Sequence, residues 1–253
     1  MKILLCNDDG ITSPFLEATA RALAKLGDLK IVVPATEQSW IGRAYSRHNI
    51  LEHKKVEFLG FDTYTINGTP SDCVNIALEH FYKDEKPDLV FSGINIGYNI
   101  TMPLLLSSGT FAAAVESAGA FIPSFSVSLQ LKHEFYQLCR LEHRVNAELE
   151  DCISTVASSA ADFVLEAMKN FKPEAGEVYN LNFPSEYKAG DEIFECAVAK
   201  VPTRALYNCL EDDKYSFKYV PMEELETQEL TDFQCLSTSR AGYSKINVFN
   251  FGK

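Results

Sequence analysis

The sequence predicts an α/β protein with a Rossmann-like, mostly parallel sheet sandwiched between layers of helices. Short apolar runs, typical of buried strands, alternate with longer segments in which apolar residues recur every three or four positions, as in helices. The 253 residues are 46% hydrophobic and 23% charged, as in ordinary globular proteins, which excludes a disordered chain. This length favours one large domain, or one domain with a smaller appendage.

The first 33 residues form one predicted βαβ unit. Residues 2–7 are an apolar run that ends at Asn-Asp-Asp-Gly, a strong turn signal, so they are predicted as a buried strand. The helix that follows has an N-cap at Thr12 or Ser13 and a C-cap at Gly27. Residues 29–33 are a second apolar, β-branched run. A right-handed crossover of this kind makes the two strands parallel.

The same alternation continues to residue 184. The predicted elements are a hairpin around Gly60, a helix from Ser71 or Asp72 to Tyr82, strands at 87–92, 122–129 and 178–182, helices at 111–120 and 152–171, and an exposed excursion at 132–150. After residue 184 the helical period fades and aromatic and acidic residues mix with turns. We therefore expect a Rossmann-like catalytic core at 1–184 and a β-rich extension with hairpins at 185–253, involved in oligomerisation.

The charge balance argues against several partners. The chain has 23 Lys and Arg against 35 Asp and Glu, a net charge of −12, whereas nucleic-acid phosphates are held by clustered basic residues. An acidic surface also repels anionic membranes, and we expect no transmembrane helix and no signal peptide. Seven Cys without any C-x-x-C spacing suit a reducing, cytoplasmic location.

Polar residues follow three predicted strands that should end at one edge of the sheet: Asp8 with Asp9, then Ser39, then Asn95. Ligands of open α/β sheets bind beyond these carboxyl ends. Two carboxylates about 4 Å apart repel by roughly 4 kcal/mol at an effective dielectric near 20, unless one is protonated or a cation lies between them. Carboxylate, hydroxyl and amide oxygens favour a hard divalent cation. Alternatively, the aspartates only cap the turn and helix.

A second polar cluster precedes the Ala-rich helix. Asn99, Ser108, Gly109 and Thr110 would offer hydroxyls and free backbone N–H groups at a helix N-terminus, which suits an anion such as phosphate. Ordinary N-capping is the alternative, although it needs only one of these residues. Nucleotide loops of the G-x-x-x-x-G-K-[ST] and G-x-G-x-x-G types are absent from the sequence.

Five motifs recur in order along the first part of the chain: K-I-L-L-x-N-D-D-G-I from Lys2, P-x-x-x-Q-S from Pro34, G-T-P-x-D-C-V from Gly68, P-D-L-V-x-S-G-I-N-x-G-x-N from Pro87 and S-G-T from Ser108. With these motifs the sequence resembles the SurE survival-protein family of metal-dependent nucleotidases. Weaker matches follow at L-N-x-P from Leu181, T-D from Thr231 and G-Y from Gly242. Two stretches depart from the family pattern, residues 100–107, which are one residue longer, and residues 244–247.

The resemblance implies one divalent cation per subunit, Mg²⁺ or Mn²⁺, and hydrolysis of nucleoside monophosphates in the cytoplasm. It implies dimers or tetramers that exchange a C-terminal segment. The implied metal ligands are Asp8, Asp9, Ser39 and Asn95, and the implied phosphate-side residues are Asn99, Ser108, Gly109 and Thr110. As a mechanism, we expect one aspartate to orient the water as a base, with Asn99 and the two hydroxyls stabilising the phosphoryl oxygens.

Two other classes of phosphate- or Mg²⁺-binding protein do not fit the sequence. A receiver-type signalling domain needs an Asp at the end of a later strand, but Asp88 begins its predicted strand. A haloacid-dehalogenase-type phosphatase needs Asp-x-Asp after strand one, whereas position 10 is Gly. A non-catalytic Mg²⁺-nucleotide-binding module, or a hydrolase of polyphosphate or other phosphomonoesters, remains an alternative.

Overall fold

The structure is a computed structural model that describes residues 1–140, 144–171, 173–202, 205–218 and 222–250. The strands in these residues are β1 Lys2–Cys6, β2 Asp28–Pro34, β3 His53–Val56, β4 Asp62–Ile66, β5 Leu89–Ile96, β6 Ser124–Leu129, β7 Glu177–Phe183, β8 Ile193–Glu195, β9 Tyr207–Glu211, β10 Lys214–Phe217 and β11 Ala241–Asn247. All but β9 and β10 join one sheet, in the order β3-β4-β2-β1-β5-β6-β7-β11-β8.

The centre of this sheet is parallel. Strands β4, β2, β1, β5, β6 and β7 pair in parallel, while β3 and β11 run antiparallel to their neighbours β4 and β7. All eight residues of β5 are buried, as expected for a strand covered on both faces. Alternate residues of β1 enter different core clusters, Ile3 and Leu5 on one face, Leu4 and Cys6 on the other. The predicted Rossmann-like α/β class is confirmed.

Helices cover both faces. They are α1 Leu16–Leu23, α2 Pro70–Ile76, α3 Thr101–Ser107, α4 Gly109–Gly119, α5 His133–Arg140, α6 Ala147–Glu166 and α7 Asp232–Ser237, and π-helical turns extend α2 to Phe81 and α6 to Phe171. The pair α1 and α6 packs on one face of the sheet, and the pair α2 and α4 packs on the other. Among the described residues, no helix has both the length and the apolar character needed to cross a bilayer.

Several boundaries differ from the sequence predictions. Helix α1 ends at Leu23 rather than near Gly27, and its N-cap is Phe15 without a side-chain cap bond rather than Thr12 or Ser13. The α2 cap is Thr69, which forms a reciprocal capping box with Asp72. Helix α6 begins earlier than predicted because Asn146 caps it. Residues 141–143 of the predicted excursion lie outside the described residues.

The chain after residue 184 contributes to the same sheet. Strand β11 pairs with β7, and β8 pairs with β11, so two C-terminal strands extend the main sheet. Strands β9 and β10 form the predicted kind of hairpin, and this hairpin is mostly exposed. The division into two domains at residue 184 stays a prediction.

Candidate active site

Three strand ends meet where β1 finishes. Asp8 and Asp9 follow β1 directly, and both side chains are buried. The loop after β2 is held there by the Gln38 N–H, which donates to the main-chain oxygen of Asp8 at 2.7 Å. From β5, the Ile96 N–H lies 3.4 Å from Asp9 Oδ2. These contacts bring together the neighbourhoods of Ser39, Asn95 and both aspartates, as the sequence predicts.

Helix α4 approaches Asp8 from a fourth direction. The Thr110 hydroxyl donates to Asp8 Oδ1 at 2.5 Å, and Thr110 has no exposed surface. A Cβ on the preceding residue, Gly109, would lie 2.8 Å from the Asp8 Cβ and 3.1 Å from the main-chain oxygen of Gln38. Glycine is therefore required for the first turn of α4 to come this close to Asp8.

Asn95 is placed by an irregularity in β5. The register between β5 and β6 shifts between Ser92 and Asn95, and Asn95 then pairs with Ser128. Gly93 has φ +126°, and a Cβ there would lie 2.3 Å from the main-chain oxygen of Val127. The strand was predicted to end at residue 92, which would place Asn95 after it. In the structure β5 continues to Ile96, so Asn95 lies within the strand.

Ser39 is exposed, whereas the other three implied metal ligands are buried. Its hydroxyl donates to Glu37 Oε1 at 2.6 Å. Because that bond uses the proton, the lone pairs of the Ser39 oxygen stay available to a cation.

The oxygens at this edge fit a hard divalent cation. Two buried aspartates from consecutive residues contact Gln38 and Ile96, the neighbours of Ser39 and Asn95, and carboxylate, hydroxyl and carboxamide oxygens are the ligands that hard divalent cations prefer. Within the described residues there is no group of three His, Cys, Asp or Glu side chains placed to hold a metal. A cation bound by Asp8 and Asp9 would therefore depend on neutral ligands such as Ser39 and Asn95.

Asn99 is held by residues that the sequence analysis missed. The Asn99 N–H donates to Asn182 Oδ1 at 2.8 Å, and its main-chain oxygen accepts from Asn180 Nδ2 at 2.8 Å and from Asn182 Nδ2 at 3.0 Å. Its side-chain Nδ2 donates to Ser128 Oγ at 2.9 Å. The weak L-N-x-P match was the available signal for Asn182.

Asp232 fixes the residues that follow Asn99. This buried carboxylate accepts from the N–H groups of Thr101, Ala199 and Phe233 at 2.8–2.9 Å. Thr101 has φ +62°, a left-handed conformation that costs about 1–2 kcal/mol for a residue with a Cβ. Burial raises the pKa of Asp232 above the usual value for aspartate, despite these three bonds. The T-D match at Thr231 was the signal for this anchor.

The N-terminus of α4 faces the same edge. The Ser108 oxygen accepts from the Phe111 N–H at 3.0 Å, an ordinary N-cap bond. Because that bond uses a lone pair of the oxygen, the Ser108 hydroxyl can still donate its proton in a hydrogen bond to an anion. Capping and anion binding are therefore compatible at this residue.

A buried carboxylate on α4 secures the loop after β2. Glu116 accepts from Arg43 Nη2 at 2.8 Å, from Asn75 Nδ2 at 2.9 Å and from the Tyr45 hydroxyl. Burial, and then the Glu116 carboxylate, raise the pKa of Tyr45 to about 12. The loop that carries Ser39 is thus tied to α4 as well as to β1.

The comparison with protein families agrees with this geometry. The family model described as Survival protein SurE matches residues 3–207, which contain both aspartates, Ser39, Asn95 and the start of α4. The chain belongs to the SurE survival-protein family. The family match thus confirms the resemblance seen in the sequence motifs.

Curated relatives in the SurE family are named 5'-nucleotidase SurE. The protein from Methanoculleus marisnigri is 37% identical over 199 residues, which are 78% of this chain and 72% of that protein. The protein from Methanothermobacter thermautotrophicus is 38% identical over 194 residues, which are 76% of this chain and 71% of that protein. The solved structure of the Sure protein from Aquifex aeolicus has a TM-score of 0.76, covers 98% of this chain and 95% of its own, and is 24% identical, which supports the fold alone.

The two stretches that depart from the SurE pattern have regular structure. Most of residues 100–107 form the short helix α3, in which Pro103 occupies the first turn, where a missing N–H costs nothing. Residues 244–247 lie in β11 and pair with β7.

Proposed function

We propose that this SurE-family chain hydrolyses nucleoside 5′-monophosphates to nucleoside and phosphate, with one divalent cation, Mg²⁺ or Mn²⁺, in each subunit. The observation that carries the proposal is the meeting of Asp8, Asp9 and the loop of Ser39 with the N-terminus of α4. A cation site thereby adjoins an anion site. The curated relatives, which are named 5'-nucleotidase SurE, support the same reaction.

We assign the cation to Asp8, Asp9, Ser39 and Asn95. The two carboxylates of a chain with net charge −12 repel a phosphate dianion, so binding without a cation is unfavourable. When bound, the cation polarises a phosphoryl oxygen and lowers the pKa of water.

Side chains and main-chain groups of the protein orient the water and bind the phosphoryl oxygens. The Thr110 side chain is fully buried and its hydroxyl donates a hydrogen bond to Asp8, so we assign this hydroxyl to orienting the carboxylate rather than to the phosphoryl oxygens. One of the two aspartates, Asp8 or Asp9, orients the water and accepts its proton, and the other serves as a ligand only. Asn99, the Ser108 hydroxyl and the main-chain N–H groups of Gly109 and Thr110 hold the phosphoryl oxygens.

Further properties belong to the same proposal. Hydrolysis of 3′-monophosphates, polyphosphate or other phosphomonoesters would use the same phosphate site. We propose assembly as a homodimer or homotetramer by exchange of a C-terminal segment. A cytoplasmic location is supported by seven free cysteines, five of them buried.

Phosphate release from AMP, with Mg²⁺, with Mn²⁺ and with EDTA, tests the reaction. The Asp8→Asn variant should lose metal-dependent release, because it removes one ligand charge while the asparagine oxygen can still accept the Thr110 bond. Asp151→Asn, on the exposed face of α6, is the matched control and should keep the full rate. An unchanged rate in Asp8→Asn contradicts the assigned role, and nucleotide binding without release under every condition favours the non-catalytic module.

A further inference from the structure

Trp40, the only tryptophan of the chain, stands directly after Ser39. Its side chain is 43% exposed, although tryptophan is usually largely buried. Its φ is +58°, in the left-handed region that residues with a Cβ occupy at a cost of about 1–2 kcal/mol. Such outliers cluster at functional sites, where the surrounding structure maintains them.

The loop around Trp40 is fixed at both ends to the candidate active site. On one side the Gln38 N–H donates to the main-chain oxygen of Asp8 at 2.7 Å, and on the other the Gly42 N–H donates to the main-chain oxygen of Ser107 at 2.9 Å. Because consecutive Cα atoms are about 3.8 Å apart, the Trp40 Cα lies within about 7.6 Å of the Cα atoms of Gln38 and Gly42. Trp40 therefore stands at the rim of the site, between the aspartates and the start of α4.

A second aromatic side chain faces Trp40 from a distant part of the sequence. The ring of Phe217, on β10, lies 5.0 Å from the Trp40 ring at an interplanar angle of 66°. Tyr207, on β9, adds a third ring 5.8 Å from Phe217. All three side chains are more than 40% exposed, so part of each ring is accessible from solvent.

We propose that Trp40 binds the base of the nucleotide substrate by stacking, and that Phe217, which contacts the Trp40 ring edge-on, holds this ring in position. This inference rests on the proposed function, which places the phosphate at Asp8 and the N-terminus of α4. The base of a nucleoside 5′-monophosphate lies one ribose away from its phosphate, and Trp40 stands at the rim between the aspartates and the start of α4. Stacking on aromatic rings is tolerant of base identity because every base has a π-face. Trp40 is thus a specificity-determining residue that distinguishes nucleotides from simple sugar phosphates.

The Trp40→Gly variant tests this role, and glycine adopts the left-handed conformation without cost, so the variant should fold. Loss of a stacked base should raise the KM for AMP roughly 5- to 150-fold. Ribose 5-phosphate has the same phosphoribosyl group without a base, so its kcat/KM should stay unchanged. Trp40→Phe should restore most of the affinity for AMP, and Phe217→Ala should raise the same KM.

A single tryptophan also reports binding directly. In the wild-type protein with Mg²⁺, AMP should quench the tryptophan fluorescence, whereas ribose 5-phosphate should leave it nearly unchanged. Equal KM values for AMP in Trp40→Gly and wild type, or equal quenching by the two ligands, overturn the proposal. A fluorescence change that follows protein concentration, with no effect of nucleotide, would instead assign the rings to contact with a second copy of the chain. Failure to hydrolyse AMP while AMP still quenches would overturn the proposed reaction and retain the base site.

Discussion

Replacement of Gly109 by alanine probes how closely α4 approaches the candidate metal ligand. Gly109 is the first residue of α4, immediately before Thr110. The added Cβ would lie 2.8 Å from the Asp8 Cβ, 3.1 Å from Asp8 Oδ2 and 3.1 Å from the main-chain oxygen of Gln38. The new methyl group therefore presses on the carboxylate and on the loop of Ser39 together.

The distances set the size of the effect. Carbon atoms in contact are ordinarily about 3.5–4.0 Å apart, so the helix and Asp8 must separate by about 0.7–1.2 Å. A misplacement of about 1 Å costs on the order of 10²-fold in rate, and we expect kcat/KM for AMP to fall by that factor. Overpacking of this kind costs about 1–3 kcal/mol of unfolding free energy, which the better helix propensity of alanine offsets by about 1 kcal/mol at most.

Phosphate release and urea unfolding measure the two effects separately. Gly119→Ala, at the other end of the same helix, is the matched control because a Cβ there meets nothing within 4 Å. That control should keep the full rate and gain up to about 1 kcal/mol of unfolding free energy. Wild-type kcat/KM in Gly109→Ala, or an equal loss of rate in Gly119→Ala, would refute the argument from close approach.

Two further outcomes follow from individual contacts. Thr110→Val removes the hydroxyl that donates to Asp8, so a urea titration without metal should show a free energy of unfolding lower by about 1.5–3 kcal/mol. Thr110→Ser, the control, should keep the hydrogen bond. A valine variant as stable as wild type would contradict the prediction. Hydrogen bonds from Lys245 and then Tyr243 lower the pKa of Glu195, so the stability that this carboxylate contributes is present above its unfolded pKa and is lost as pH falls through the lower folded pKa. Because the pair is exposed, the free energies of unfolding of wild type and Glu195→Gln should differ by under about 1 kcal/mol at pH 7, and this difference should vanish in acid. A difference that stays constant with pH would contradict the prediction.

The predictions from sequence succeeded where the signal was local. The turn after β1, the hairpin of β3 and β4 and the alternation of strands and helices depend on residues close in the chain. The helix α3 was missed because it is short and lacks a side-chain cap at Ile100. The extent of β5 was also missed, since glycine and asparagine at residues 93 and 95 ordinarily end a strand.

The partners of the site residues were beyond the reach of sequence reasoning. Asn182 holds Asn99 across 83 positions, and Asp232 holds Thr101 across 131. Nothing in the local pattern tells a carboxamide that anchors a loop from one that faces solvent. Only the weak family matches marked these two residues.

The sequence by itself determined the parallel βαβ unit of β1, α1 and β2 and the polar turn that follows β1, because hydrophobic period and turn chemistry are local properties of the chain. The tertiary structure alone decided that the Thr110 hydroxyl donates to Asp8, that Asn95 follows a register shift in β5, and that the rings of Trp40 and Phe217 are in contact. The physical reason is distance: a hydrogen bond or ring contact depends on separations of a few ångströms between residues far apart in sequence, and packing of the whole chain sets them.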